Sequence, residues 1–233
     1  MVTRLLSIPR SIAFYLIFYL GSIFCVTWAV IAIAISEPVF RSAVHIWSGY
    51  HRLCARLFCG IRPALEQPNF KSGVIYAVKH ESFYEAIDLP TVFHLPVVFA
   101  KAELMRIPMW GLAASRFGLV SVERNAGAKA LRTMLSAARS YSATGRPLVI
   151  FPEGTRVRRG TEAPLQSGFA GLYKLLNMPV IPVAVDSGPL YHRFWKQPGV
   201  VHYRFAPEIP PGLPREEIEA RVQSAINALT PGS

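Results

Sequence analysis

The segment Lys79-His80-Glu81-Ser82-Phe83-Tyr84-Glu85 places an imidazole five positions ahead of a carboxylate. Five steps are about 140° around a helix, so the two side chains cannot share one helical face. They meet only if His80 stands ahead of a helix and Glu85 reaches back from its first turn. A carboxylate accepting from one ring nitrogen fixes the tautomer and leaves the other nitrogen free to take a proton from an alcohol. A capping or core histidine beside an unrelated Glu is the bland alternative. About 70 residues later comes Phe151-Pro152-Glu153-Gly154-Thr155-Arg156. A turn containing Gly154, followed by the planar fork of Arg156, suits bidentate capture of a phosphate, with Arg158 and Arg159 nearby. Glu153 is placed there to hold Arg156 or a substrate hydroxyl. Taken alone, such a turn is also simply a turn.

Both clusters follow short apolar runs. Residues 73–78, 97–100, 119–122, 147–151, 180–185 and 200–205 read as strands, and 83–93, 126–141, 168–176 and 214–229 as helices. Strands alternating with helical stretches of this length predict an α/β domain, a mixed, largely parallel sheet covered by helices. A His or a Gly-Thr-Arg turn at a strand's carboxyl end sits where ligands bind in such sheets.

The first 60 residues have another texture. Ser11–Ser36 is a run of 26 residues without a charge. As a helix it extends about 39 Å, enough to cross a hydrocarbon core of about 30 Å with tilt. A re-entrant helix and a cleaved signal peptide compete with a true span, the latter because Arg4 and Arg10 precede the run and Ala32-x-Ala34 resembles a cleavage site. From 38 to 59 a second helix is expected, with Phe40, Ala43, Trp47, Tyr50, Cys54 and Leu57 on one face and Arg41, His45, Arg52 and Arg56 opposite. That pattern predicts an interfacial membrane helix with a basic polar face, or else a helix packing its apolar stripe on the domain. The chain therefore divides into a membrane anchor over 1–62 and an α/β domain over 63–233.

Composition agrees with a greasy, anionic setting: 52% of the 233 residues are hydrophobic, and formal net charge is +11. Disorder is excluded by that hydrophobicity. Between 101 and 160 lie eleven Lys and Arg against three Glu. These bases cluster at turns bounding apolar strands, which suits an anionic substrate or lipid surface better than nucleic acid. The three cysteines, Cys25, Cys54 and Cys59, show no metal or disulfide spacing and read as small apolar residues in a reducing compartment. No metal site is expected.

Together the two clusters resemble the glycerolipid acyltransferases, specifically the 1-acylglycerol-3-phosphate acyltransferase family. Lys101-Ala102-Glu103-Leu104 with Pro108 and Gly111, running on to Gly118 and Arg124, is similar to that family's second block, and Val180-Ile181-Pro182-Val183 to its fourth. The match covers about 71–188. Glu85 stands where the family usually has Asp, as in a subset of bacterial members, and keeps the carboxylate on a tether one methylene longer. The resemblance implies direct acyl transfer with no covalent enzyme intermediate. His80, oriented by Glu85, would deprotonate the sn-2 hydroxyl of lysophosphatidate, which attacks the thioester of acyl-CoA or acyl carrier protein. Lys101 and Arg156 would hold the phosphate, Glu153, Gly154 and Thr155 would shape that pocket, and the block around Pro182 would line the sheet near the reacting acyl group. Ser82 is no nucleophile in this reading, though its hydroxyl or a backbone N–H could assist the oxyanion. It implies no metal or redox cofactor, and a place on the cytoplasmic side of a bacterial inner membrane. Another lyso-lipid acceptor, such as lyso-ornithine lipid, and a membrane-bound thioesterase are the alternatives.

Overall fold

The computed structural model describes residues 2–123 and 127–230, with side chains from Leu6 onward; Arg124 lies outside the described residues. Helix α1 (Val2–Ile35) begins earlier than the uncharged run and passes through Pro9. Its first turns are held to the domain: Arg10 Nε donates to the Phe58 carbonyl at 2.7 Å, and the Ser11 hydroxyl accepts from Lys196 N–H at 2.8 Å. Ser36 caps α2 (Glu37–Cys54), its hydroxyl accepting from Val39 N–H, with Pro38 in the first turn where a missing N–H costs nothing. A π-helical turn (Ala55–Cys59) ends at Gly60, whose left-handed φ of 69° sends the chain straight into β1 (Ile61–Glu66).

Then follow β2 (Ile75–Val78), α3 (Phe83–Val92), β3 (Val97–Lys101), a 3-10 turn (Ala102–Arg106), α4 (Trp110–Phe117), β4 (Leu119–Val122), α5 (Ala128–Ser142) and β5 (Leu148–Ile150). The chain closes with α6 (Ser167–Leu176), β6 (Val180–Val185), a second π-helical turn (Gly188–His192), β7 (Gly199–Phe205) and α7 (Arg215–Ile226). Among the described residues, seven strands form one sheet in the order β1-β7-β6-β2-β5-β3-β4. All pairs are parallel except β6 with β7. The mixed, largely parallel sheet covered by helices is therefore observed.

Strand β2 is central because it is apolar on both faces, and all four of its residues are buried. Tyr76 and Val78 face one layer, where they meet Phe14 and Phe18 of α1 and Tyr84 and Leu89 of α3. Ile75 and Ala77 face the other, against α5, α6 and α7 through Met134, Phe169, Leu172 and Ile218. Each buried Val, Leu, Ile, Met or Phe side chain among them stabilises the fold by about 1.5–3 kcal/mol. The parallel register Ala77↔Ile150 and Val78↔Val183 brings the carboxyl ends of β2, β5 and β6 side by side.

Strand β1 was not expected. Pro63, Arg62 and Glu66 disguise it, and all three are tolerable because β1 is an edge strand paired only with β7. Helix α4 was also missed; it is two turns long and packs Ala113 and Phe117 against Ala29, Ala32 and Phe40 of the first two helices.

Helix α1 buries one stripe and leaves the rest outward: Phe24 is 75% exposed, and Leu16, Tyr19, Leu20, Ile23 and Ile31 are exposed with it. From Leu6 to Ile35 it is long and apolar enough to cross a membrane. Helix α2 departs from the expected pattern. Phe40, Ala43 and Cys54 are buried as the wheel predicts, but Leu57 is exposed and Arg52 turns inward. Arg52 donates to both oxygens of Asp88 on α3, from Nε at 2.5 Å and Nη2 at 3.0 Å, and Tyr203 donates to the same carboxylate at 2.9 Å. A buried Asp on the neighbouring helix outcompetes water for that guanidinium, so the basic face is broken where it packs. The three cysteines are free thiols.

Candidate active site

Serine 82 caps α3, and Glu85 is the third residue of that helix, so Glu85 folds back over the helix's own start. Its Oε1 accepts the backbone N–H groups of Glu81 and Ser82 at 2.6 Å each. The same oxygen lies 3.0 Å from His80 Nδ1. The helix cap and the His–carboxylate contact are thus one group, which is how five residues of spacing become a hydrogen bond. An ionised carboxylate only accepts, so Nδ1 carries the proton and Nε2 keeps its lone pair. No hydrogen bond to Nε2 occurs among the described residues, and the ring lies along Phe151, centroids 4.2 Å apart. Glu85 is fully buried, which alone would disfavour its charge. The His80 contact, the Ser187 hydroxyl and the Ser82 amide overcome that, and its carboxyl lies below the ordinary range.

The second cluster sits beside the first because β5 and β2 are neighbours; Val157 N–H donates to the His80 carbonyl at 2.8 Å. Gly154 has φ 68°, and a Cβ there would stand 2.5 Å from the Gln166 side chain, so this turn requires glycine. Thr155 and Arg156 are exposed, and the Arg156 guanidinium lies 4.1 Å from the Phe83 ring centroid. Lys101, half-exposed at the end of β3, is 3.1 Å from Glu103. His80, Lys101, Gly154, Thr155 and Arg156 all line one cavity of about 1740 Å³, whose apolar walls include Phe99, Trp110 and Phe117.

Two expectations need correction. Glu153 is buried and does not reach the cavity; its Oε1 accepts from Lys79 Nζ at 2.5 Å, and Lys79 also donates to Asn227 at 2.9 Å. A buried lysine directly ahead of His80 claims this carboxylate, which therefore ties the two clusters together instead of touching a ligand. Burial pushes its pKa up, and Lys79 offsets part of that. Pro182 is likewise buried within β6, paired with Ala77, and does not line the cavity. Sequence reading overlooked Lys79, Phe83 and Phe151, although all three lie inside the quoted segments. It also overlooked Ser187, which follows the fourth apolar block and carries no motif of its own.

Residues 61–186 match the family model described as Acyltransferase. The chain is 26% identical over 202 residues to the 1-acyl-sn-glycerol-3-phosphate acyltransferase of Pseudomonas aeruginosa, an alignment covering 83% of this chain and 76% of that protein. It is 26% identical over 183 residues to the enzyme of the same name from Helicobacter pylori, covering 74% and 77%. The crystal structure of the 1-acyl-sn-glycerophosphate acyltransferase from Thermotoga maritima shares the fold, with a TM-score of 0.73 at 17% identity over 95% of this chain and 93% of that one.

Proposed function

The chain belongs to the acyltransferase family, and from that premise we propose that it acylates the sn-2 hydroxyl of 1-acylglycerol-3-phosphate to give phosphatidic acid. The observation that carries this reading is the His80–Glu85 contact, with a free Nε2 on a cavity that also holds Arg156 and Lys101. His80 Nε2 takes the proton of the acceptor hydroxyl as its oxygen attacks the thioester carbonyl. The carbon–sulfur bond then breaks, and the imidazolium returns the proton to the departing thiolate. Glu85 holds the tautomer and stabilises the transient imidazolium. Arg156 and Lys101 bind the acceptor phosphate, and the apolar walls receive acyl chains. General-base assistance supplies about 10²–10⁴-fold, and holding both substrates together supplies much of the rest.

Every proton in this scheme is moved by a side chain, so it uses no metal or redox cofactor. The donor is acyl-CoA or acyl carrier protein, the latter matching the basic surface between 101 and 160. The exposed apolar face of α1 supports a seat in an anionic membrane, which we assign to the cytoplasmic side of a bacterial inner membrane. In that reading residues 1–62 are the anchoring unit and 63–233 the catalytic one, with β1 (Ile61–Glu66) straddling the boundary between them.

The deciding experiment supplies purified protein with labelled acyl thioester and a panel of lyso-lipids. Labelled phosphatidate is expected from lysophosphatidate, and none from His80→Ala. Labelled ornithine lipid in preference to phosphatidate would reassign the acceptor, and free fatty acid without lipid product would make the protein a thioesterase.

A further inference from the structure

The carboxylate of Glu85 has a second oxygen, and what holds it comes from the far side of the sequence. Ser187, the second residue after β6, is fully buried, and its hydroxyl donates to Glu85 Oε2 at 2.5 Å. The Ser82 hydroxyl lies 2.7 Å from Ser187 Oγ and 3.0 Å from Glu85 Oε2. Counting protons orders this triangle. The ionised carboxylate donates nothing, so the shorter contact takes the Ser187 proton. Ser82 Oγ already accepts from Tyr84 N–H at 3.0 Å, and its single proton goes to Ser187 or to Glu85. Among the described residues, Ser187 is the one group outside 80–85 that hydrogen-bonds this carboxylate. The next residue repeats the arrangement, since Gly188 N–H donates to Glu81 Oε2 at 2.8 Å.

A carboxylate on two methylenes has torsional freedom that local contacts to Oε1 alone leave partly open. Fastening Oε2 to the end of β6 removes that freedom and aims Oε1 at Nδ1. We propose that Ser187 is a positioning residue of the transfer reaction, holding the Glu85 carboxylate in the orientation that His80 requires. The proposal rests on the assignment of His80 as the base.

The charged groups that interact with Glu85 are His80 and Glu81 beside it, Asp88 one turn along α3, and His192 of the π-helical turn. The phenols of Tyr84 and Tyr203 complete its surroundings. A Ser187→Ala substitution changes none of these; it removes a donor to the charged form of Glu85 and the hydroxyl that Ser82 faces. Glu85 loses one of the donors that favour its charged form and protonates more readily, so the acid limb of the rate profile moves to higher pH.

The test measures kcat, both KM values and the pH profile of full-length Ser187→Ala, with folding checked by thermal unfolding in detergent. The expected result is a kcat roughly 10- to 50-fold lower, KM values within about threefold, and an acid limb about half a unit higher, effects of the order that hydrogen bonds to charged groups produce. Ser187→Thr, which keeps the hydroxyl, is expected to recover most of kcat. A folded Ser187→Ala protein with wild-type kcat and acid limb overturns the proposal. Should the alanine variant fail to fold, Ser187→Cys, a weaker donor of similar size, is read by the same criteria. Activity surviving in His80→Ala would instead remove the base assignment, so the two failures are distinguishable.

Discussion

Arg156 rests on an aromatic face: its guanidinium carbon is 4.1 Å from the centroid of Phe83, the first residue of α3. No ion pair with Arg156 occurs among the described residues, so its charge is positioned without being neutralised. An acidic partner would compete with an incoming phosphate, whereas a ring does not. Exposed cation–π contacts contribute about 0.5–1 kcal/mol, so Phe83→Leu is expected to raise the acceptor KM about two- to fivefold. The donor KM and kcat should stay near wild type, and Phe83→Tyr should behave normally. Steady-state kinetics with each substrate varied in turn checks this; equal changes in both KM values would contradict it.

Glu85 serves the helix and the imidazole together, and its variants should separate the two roles. Glu85→Ala loses the cap as well as the dyad, and should cost about 0.5–2 kcal/mol of stability along with nearly all activity. Glu85→Gln keeps an oxygen for the backbone amides, and is expected to unfold near the wild-type temperature yet lose about 10²-fold or more in kcat. Glu85→Asp shortens the tether and should retain measurable transfer. Thermal unfolding beside kcat for the three variants reads the separation directly.

Glu81 gives the fold a pH dependence of unusual sign. Burial, with the nearby Glu85 charge, raises its pKa to about 7, although Gly188 N–H, Lys79 and Arg159 oppose the shift. Its folded pKa exceeds its unfolded one, so its contribution is fully present below about pH 4.5 and is lost as pH rises towards 7. A shift of that size corresponds to about 3 kcal/mol. Glu81→Gln should remove this slope and make the protein more stable at pH 7 and above. Denaturant titrations across pH 4.5–8 provide the check; parallel curves for the two proteins would refute it.

The Arg52–Asp88 pair joins α2 to the helix that carries Glu85. Asp88 is fully buried, and burial raises its pKa despite Arg52 and Tyr203. Arg52→Met leaves that buried carboxylate without its cation, held by the Tyr203 hydroxyl, and should cost about 3–5 kcal/mol. Adding Asp88→Asn should restore much of the loss. A double-mutant cycle on unfolding free energies measures the coupling, and additive losses would show that the pair is not acting as a unit.

Much of the architecture was legible because its signals are local. Apolar runs at 73–78 and 180–185 announce strands buried on both faces, and the helical stretch from Phe83 announces an element that starts just after His80. The dyad was legible for the same reason, since a carboxylate in a helix's first turn can reach back to a His just ahead of it. What escaped depends on distant partners. Pro63 belongs to a strand only because β7 arrives beside it, and Arg52 turns inward only because Asp88 lies there. Glu153 read as a ligand group because sequence cannot show that Lys79 reaches it across β2 and β5. Ser187 had no motif to mark it, and its chemistry exists only where β6 ends beside α3.

The strand order also sets a timetable. β2 acquires its two neighbours from β5 and β6, which the ribosome makes about 70 and 105 residues later. At about 5–20 residues per second, the chain spends several seconds with His80 made and Ser187 not yet synthesised. The long apolar helix emerges before any of this, so it meets its surroundings while the sheet is still incomplete. Non-local parallel pairing is slow to nucleate, and each nascent molecule passes through an interval in which His80 and Glu85 exist without the strand ends that hold them.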